Sequence, residues 1–247
     1  VAFVHVPKTA GTSVTEVLSG CFEGKVCPAM TTLDYARFDD ERLTGWRFFK
    51  GHAYRRDYAR LPAGTVKFTV LRDPVARALS YWRYFRGLEE AASDNPFVRE
   101  AIRLAKGQSC IEFVYSDSPF VIEHVRLGQV RQFLSDEVLA AVGHRQFLSR
   151  EIRARAVAEF VAETDAFDFV LTVEGMALSF PLMLRELGLG AAGALARRNV
   201  SGMGDAVEMG DLRRALVDVS GAEFDCYEHV RRREMAWVVQ LLGHACA

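Results

Sequence analysis

The chain has 247 residues, 50% of them apolar and 26% charged, enough apolar mass for one substantial α/β domain spanning residues 1–247. Its formal net charge of −1 excludes a global field that would draw it to nucleic acid or a membrane surface, so anion recognition must be local. No apolar run approaches the ~18 residues of a membrane span and no signal peptide is present, so a cytoplasmic protein is expected, with an anchor removed from upstream of Val1 left open.

The first stretch, Val1 to Val6, is β-branched and apolar, as in a buried parallel strand, and Pro7 ends it. Lys8 follows, Gly11 allows a tight turn, and Thr12 or Ser13 opens a helix to about Cys21 whose free N–H groups favour an anion. A Walker loop carries its Lys directly before the Ser/Thr that holds magnesium; here Lys8 opens the loop instead. The bland alternative is an ordinary βα turn with a surface lysine. Residues 22–45 read as irregular structure or one short helix, without chemistry. Trp46–Lys50 is a short strand ending in Gly51-His52, and a polar residue just beyond a strand lies at the edge where open α/β sheets bind ligands.

Val66–Leu71 is the next strand. Asp73 then caps a helix with Pro74 in its first turn, running to about Arg86. Val75, Ala78, Leu79 and Trp82 form its apolar stripe, and Arg77, Ser80, Tyr81 and Tyr84 a polar and aromatic one. Residues 93–163 suggest a helical layer without strands. Phe167–Thr172 is the last strand, followed by a helix from Glu174-Gly175 to about Leu187, a flexible break over 188–193, and helices at about 209–219 and 222–243. Asn199-Val200-Ser201 is formally a glycosylation sequon and is given little weight. Cys21, Cys27, Cys110, Cys226 and Cys246 are odd in number and lack metal spacing, which reads as mostly reduced thiols and no metal site.

Arg72 leaves the third strand and Ser80 lies two helical turns later, so one anion beside that helix could meet both. With Lys8 to Ser13 this gives two anion sites, suited to a nucleotide phosphorylated at its 5′ and 3′ positions. His52 points toward the first. His5, inside the first strand, reads as a core histidine, and His124, His144, His229 and His244 have no carboxylate or histidine partner at ligand spacing. Arg55 and Arg56 follow His52 closely enough to grip an anionic sugar.

The loop P-K-T-A-G-T-S from Pro7, the motif L-R-D-P-V-A-R-A-L-S from Leu71, and the strand ending in Gly51-His52 between them resemble the sulfotransferases that use 3′-phosphoadenosine 5′-phosphosulfate. The similarity is to the branch containing heparan sulfate 2-O-sulfotransferase. Weaker similarity continues through Leu127–Leu134, Phe167–Glu174, Arg198–Ser201 and Phe224–Tyr227. The resemblance implies a P-loop-like three-layer fold with a central parallel sheet and flanking helices. It also implies that Lys8 contacts the bridging or 5′-phosphate oxygens, that Thr9, Ala10, Gly11, Thr12 and Ser13 bind the 5′-phosphate, that Arg72 and Ser80 bind the 3′-phosphate, and that His52 is the base. One departure is Lys50, where close relatives have a histidine, which bears on the acceptor more than on the chemistry.

The expected reaction is therefore sulfuryl transfer to a hydroxyl of a saccharide, with Lys8 and His52 catalytic, adenosine 3′,5′-bisphosphate as product and no metal. A histidine of ordinary pKa near ~6.5 suits proton abstraction at neutral pH. Two other readings stand beside it: a P-loop kinase-type phosphoryl transferase, and a binding protein that keeps the nucleotide pocket without turnover.

Overall fold

The computed structural model describes residues 1–29, 31–145, 147–190 and 209–244. The sequon, Arg198 and Cys246 lie outside them, as does the break beyond Gly190. It is a mixed α/β protein built on a four-stranded parallel sheet. Strand β1 is Ala2–Val4 and leads into helix α1, Gly11–Cys21. Two short helices follow, α2 at Thr32–Tyr35 and α3 at Asp40–Leu43, where one at most was expected. Then come β2 (Phe49–Gly51), α4 (Arg55–Tyr58), β3 (Lys67–Leu71) and α5 (Pro74–Arg86).

The stretch expected to be helical is so: α6 (Pro96–Gly107), α7 (Cys110–Tyr115), α8 (Pro119–Val121), α9 (Asp136–Val142) and α10 (Arg150–Asp165). A π turn, Ile122–Arg126, sits between α8 and α9. Strand β4 (Phe169–Thr172) and helix α11 (Met176–Glu186) follow. The last helical segment, α12, covers Met209–His244 and breaks at Ser220, whose φ of −146° is not helical, which makes it the expected pair of helices in near-continuous form.

The strands run β2-β1-β3-β4, all parallel. The chain steps from β1 to one neighbour and then to the other, so the order reverses at β1 and a crevice opens above its carboxyl end. Alternation along the strands divides the core. Phe3, Phe68, Val70 and Leu171 pack with Val14 and Leu18 of α1 and Phe180 and Met183 of α11. Ala2, Val4, Leu71 and Val170 face the other way, onto Phe133, Phe160 of α10 and Val230 of α12. Helices thus cover both faces, as a parallel sheet requires. A separate apolar cluster joins α5, α6 and α7 to Leu212, Leu216 and Val219 of α12.

The stripe assignment on α5 needs correction. Tyr81 is core, the default reading for its ring, but Arg77 is buried as well rather than solvated, because it finds Glu223 of α12 at 3.0 Å and the Val125 carbonyl at 2.7 Å. Ser80 stays half-buried and Tyr84 exposed.

Candidate functional site

A cleft of about 1720 Å³ lies above the carboxyl ends of the strands. Its walls include Lys8, Ala10, Gly11, Thr12, Ser13, His52, Arg72 and Ser80, so every sequence-predicted site residue but Thr9 lines one cavity. Thr9 is fully buried and its hydroxyl donates to the Val6 carbonyl at 2.7 Å, which pins the loop to the end of the first strand.

The loop departs from expectation in how it turns. Lys8 and Ala10 have φ of 69° and 64°, whereas Gly11 is not left-handed. Glycine is required at 11 for space: a Cβ there would lie 1.7 Å from His5 Nε2. Non-glycine residues held at positive φ store strain of order 1–3 kcal/mol each, which surrounding structure must impose. Ala10 is also the N-cap of α1 and offers no side-chain hydrogen bond, so the first N–H groups of the helix have no side-chain cap and open into the cleft. Lys8 Nζ stands 4.0 Å from the Tyr84 ring centroid, and its pKa is lowered by burial and then by Arg72.

His52 follows Gly51, whose φ of 130° few side chains could adopt, and this turn brings the imidazole into the crevice beside β1. Its Nδ1 lies 2.8 Å from the His5 carbonyl, and its ring 4.5 Å from the His5 ring. Burial lowers the pKa of His52, against the opposing pull of that hydrogen bond. For His5 the fall is to about 3, from burial first and then the neighbouring His52 and Lys50. Two adjacent imidazoles are thus both neutral at pH 7.

Arg72 is held by its backbone. Gln129 accepts from the Arg72 N–H at 2.8 Å and donates to its carbonyl at 2.9 Å. Glu223 in turn accepts from the Gln129 N–H at 2.8 Å and is fixed by Arg77. Arg72 Nη1 reaches the Lys8 carbonyl at 3.4 Å, linking the two expected anion sites, while its buried Nε has no hydrogen-bond partner. Burial lowers the Arg72 pKa, offset by Glu174 and Asp73.

Other residues of the site escaped sequence reasoning. Gln132 donates to the His5 carbonyl at 3.3 Å and to that of Ala53 at 3.2 Å. Its sequence signal was faint: Gln129, Arg131 and Gln132 interrupt the otherwise apolar Leu127–Leu134 run. Glu223 had no signal within its helix. Thr31, Thr32 and Leu33, from the segment expected to hold no chemistry, also wall the cleft, since Thr31 bridges to His52. The π turn contributes Glu123 and His124; Glu123 meets the Tyr54 hydroxyl at 3.2 Å, Arg131 at 3.8 Å and His144 at 3.4 Å. His144 and His229 therefore do have carboxylate partners, the latter Asp165 at 2.9 Å, supplied by folding and invisible in sequence spacing. Arg55 and Arg56 are engaged elsewhere, with Glu163 at 2.9 Å and Asp136 at 2.7 Å, and neither lines the cleft.

Cys21, Cys27, Cys110 and Cys226 are free thiols, and no helix among the described residues is long and apolar enough to cross a membrane. No protein-family model matches this sequence, and no curated protein is significantly similar to it.

Proposed function

We propose that this protein transfers a sulfuryl group from 3′-phosphoadenosine 5′-phosphosulfate to an acceptor hydroxyl, of a carbohydrate by the family resemblance, on a P-loop-like fold. The observation that carries the reading is the convergence of Lys8, the uncapped N-terminus of α1, Arg72, Ser80 and His52 on one cleft. The unpartnered Nε of Arg72 fits a phosphorylated ligand.

In this reading the α1 N–H groups and Lys8 bind the 5′-phosphate, Thr9 contributing through its backbone alone, and Arg72 with Ser80 takes the 3′-phosphate. The donor supplies an activated sulfuryl group: a bond forms from the acceptor oxygen to sulfur, the bond from sulfur to the 5′-phosphate oxygen breaks, and its electron pair stays on that phosphate. Lys8 and the helix N-terminus stabilise the charge that collects there, a preorganised interaction worth roughly 3 kcal/mol for one donor. His52 takes the acceptor proton on Nε2, since Nδ1 is committed to the His5 carbonyl.

Calorimetry with adenosine 3′,5′-bisphosphate and 5′-AMP tests the reading. The bisphosphate is expected to bind much more tightly, because only it fills the Arg72/Ser80 site with charge-assisted bonds. Equal affinities would remove the second anion site and the assignment with it.

A further inference from the structure

Beyond Ser80 the cleft continues as an arm between the end of α5 and the starts of α6 and α8, walled by Phe85, Leu88, Val98 and Phe120. The rings of this wall meet in series from Lys8 outward. Lys8 Nζ lies over Tyr84, Tyr84 stands 5.3 Å from Phe85, Phe85 stands 5.5 Å from Phe120, and Phe120 stacks on His124 at 4.0 Å with 11° between the planes. An apolar, aromatic surface thus runs without a gap from the amine at the phosphate loop to the π turn.

The charges nearby do not describe a track for an anionic polymer, which needs guanidinium groups free along the groove. Arg55 and Arg56 pair with carboxylates outside the cleft. Arg131 pairs with Glu123 and donates to the Gly143 carbonyl at 2.9 Å. Apart from Arg72, two buried guanidinium nitrogens on the cleft wall are left without a hydrogen-bond partner, Nε of Arg83 on the arm and Nε of Arg131. So few unsatisfied donors beside an apolar recess suit a ligand with an apolar body and one or two well-placed acceptor atoms.

We propose that this arm is the acceptor subsite, and that it takes a saccharide carrying an apolar, ring-bearing group, such as an aryl glycoside, rather than an anionic polysaccharide. The inference rests on the sulfuryl-transfer reading of the same cleft, and the transfer step is the one given above.

The test starts from the protein saturated with adenosine 3′,5′-bisphosphate, whose own binding isotherm reports separately on the transfer reading. Calorimetry then compares the 4-nitrophenyl and methyl glycosides of one sugar, and a uronate-containing polysaccharide. The aryl glycoside should bind at least ~10-fold more tightly than the methyl glycoside, as expected for burying one ring. Leu88→Gln and Val98→Ser, two half-buried wall positions, should each remove most of that advantage and leave bisphosphate affinity unchanged. Equal binding of the two glycosides, binding of neither, preference for the polyuronate, or an aryl advantage that survives both substitutions would overturn the proposal while leaving the bisphosphate result standing.

Discussion

Because a carbonyl oxygen can only accept, the 2.8 Å contact with His5 puts the proton of a neutral His52 on Nδ1 and leaves the Nε2 lone pair free. Burial then keeps the ring neutral by lowering its pKa below 6.5. The deprotonated form is the one that can accept a proton, so kcat/KM should be flat through neutral pH and fall only at an inflection below 6.5, and an inflection at or above that value would contradict the assignment. His52→Ala should slow transfer by roughly 10²–10⁴ while barely changing bisphosphate affinity, since the imidazole serves the acceptor. Near wild-type turnover in that variant, in a sulfate-transfer assay on a verified acceptor, would move the base to another group. The Gly51-His52 pair was legible in the sequence. The orientation was not, because its hydrogen-bond partner is a main-chain oxygen 47 residues away.

The junction of β3 with α5 shows how an element can be plain in sequence and its role only half so. Asp73 accepts from the Ala76 N–H at 2.9 Å and Pro74 occupies the first turn, as the residues demanded. Arg77 was placed on the polar stripe because nothing local announces Glu223, which lies 146 residues on. A buried pair of this kind earns its place only through additional hydrogen bonds, and here they lead to Gln129 and so to the Arg72 backbone. Gln129→Ala removes both bonds to Arg72, so affinity for adenosine 3′,5′-bisphosphate should fall by roughly 10-fold while that for 5′-AMP stays nearly constant. Parallel loss of both affinities, with a lowered melting temperature, would assign Gln129 a purely structural part.

At the scale of the molecule, the half-buried histidine beneath the loop couples stability to pH. The folded His5 resists protonation down to about 3, whereas the unfolded chain takes up its proton near 6.5, so between these values only the unfolded state gains. Stability should therefore decline as pH falls below 6.5, by at most ~1.4 kcal/mol per unit from this group, and the decline should end near 3. Urea midpoints at pH 7 and pH 5 should differ less in His5→Gln than in the wild type; an undiminished difference would locate the acid sensitivity elsewhere. What the sequence by itself determined is whatever depends on neighbours in the chain. The β-branched and aromatic runs gave the strands, the turn residues and apolar periods gave α1, α5 and the final helices, and residues just beyond strand ends gave the cleft its loop, His52 and Arg72. Only the tertiary structure decided the strand order, the left-handed turns at Lys8 and Ala10, the use of Gly11 as space for His5, the Gln129 clamp and the aromatic arm. Each of these is a contact between residues far apart in sequence, and no local pattern of residue types encodes which distant groups a packed core will bring within hydrogen-bonding or van der Waals reach.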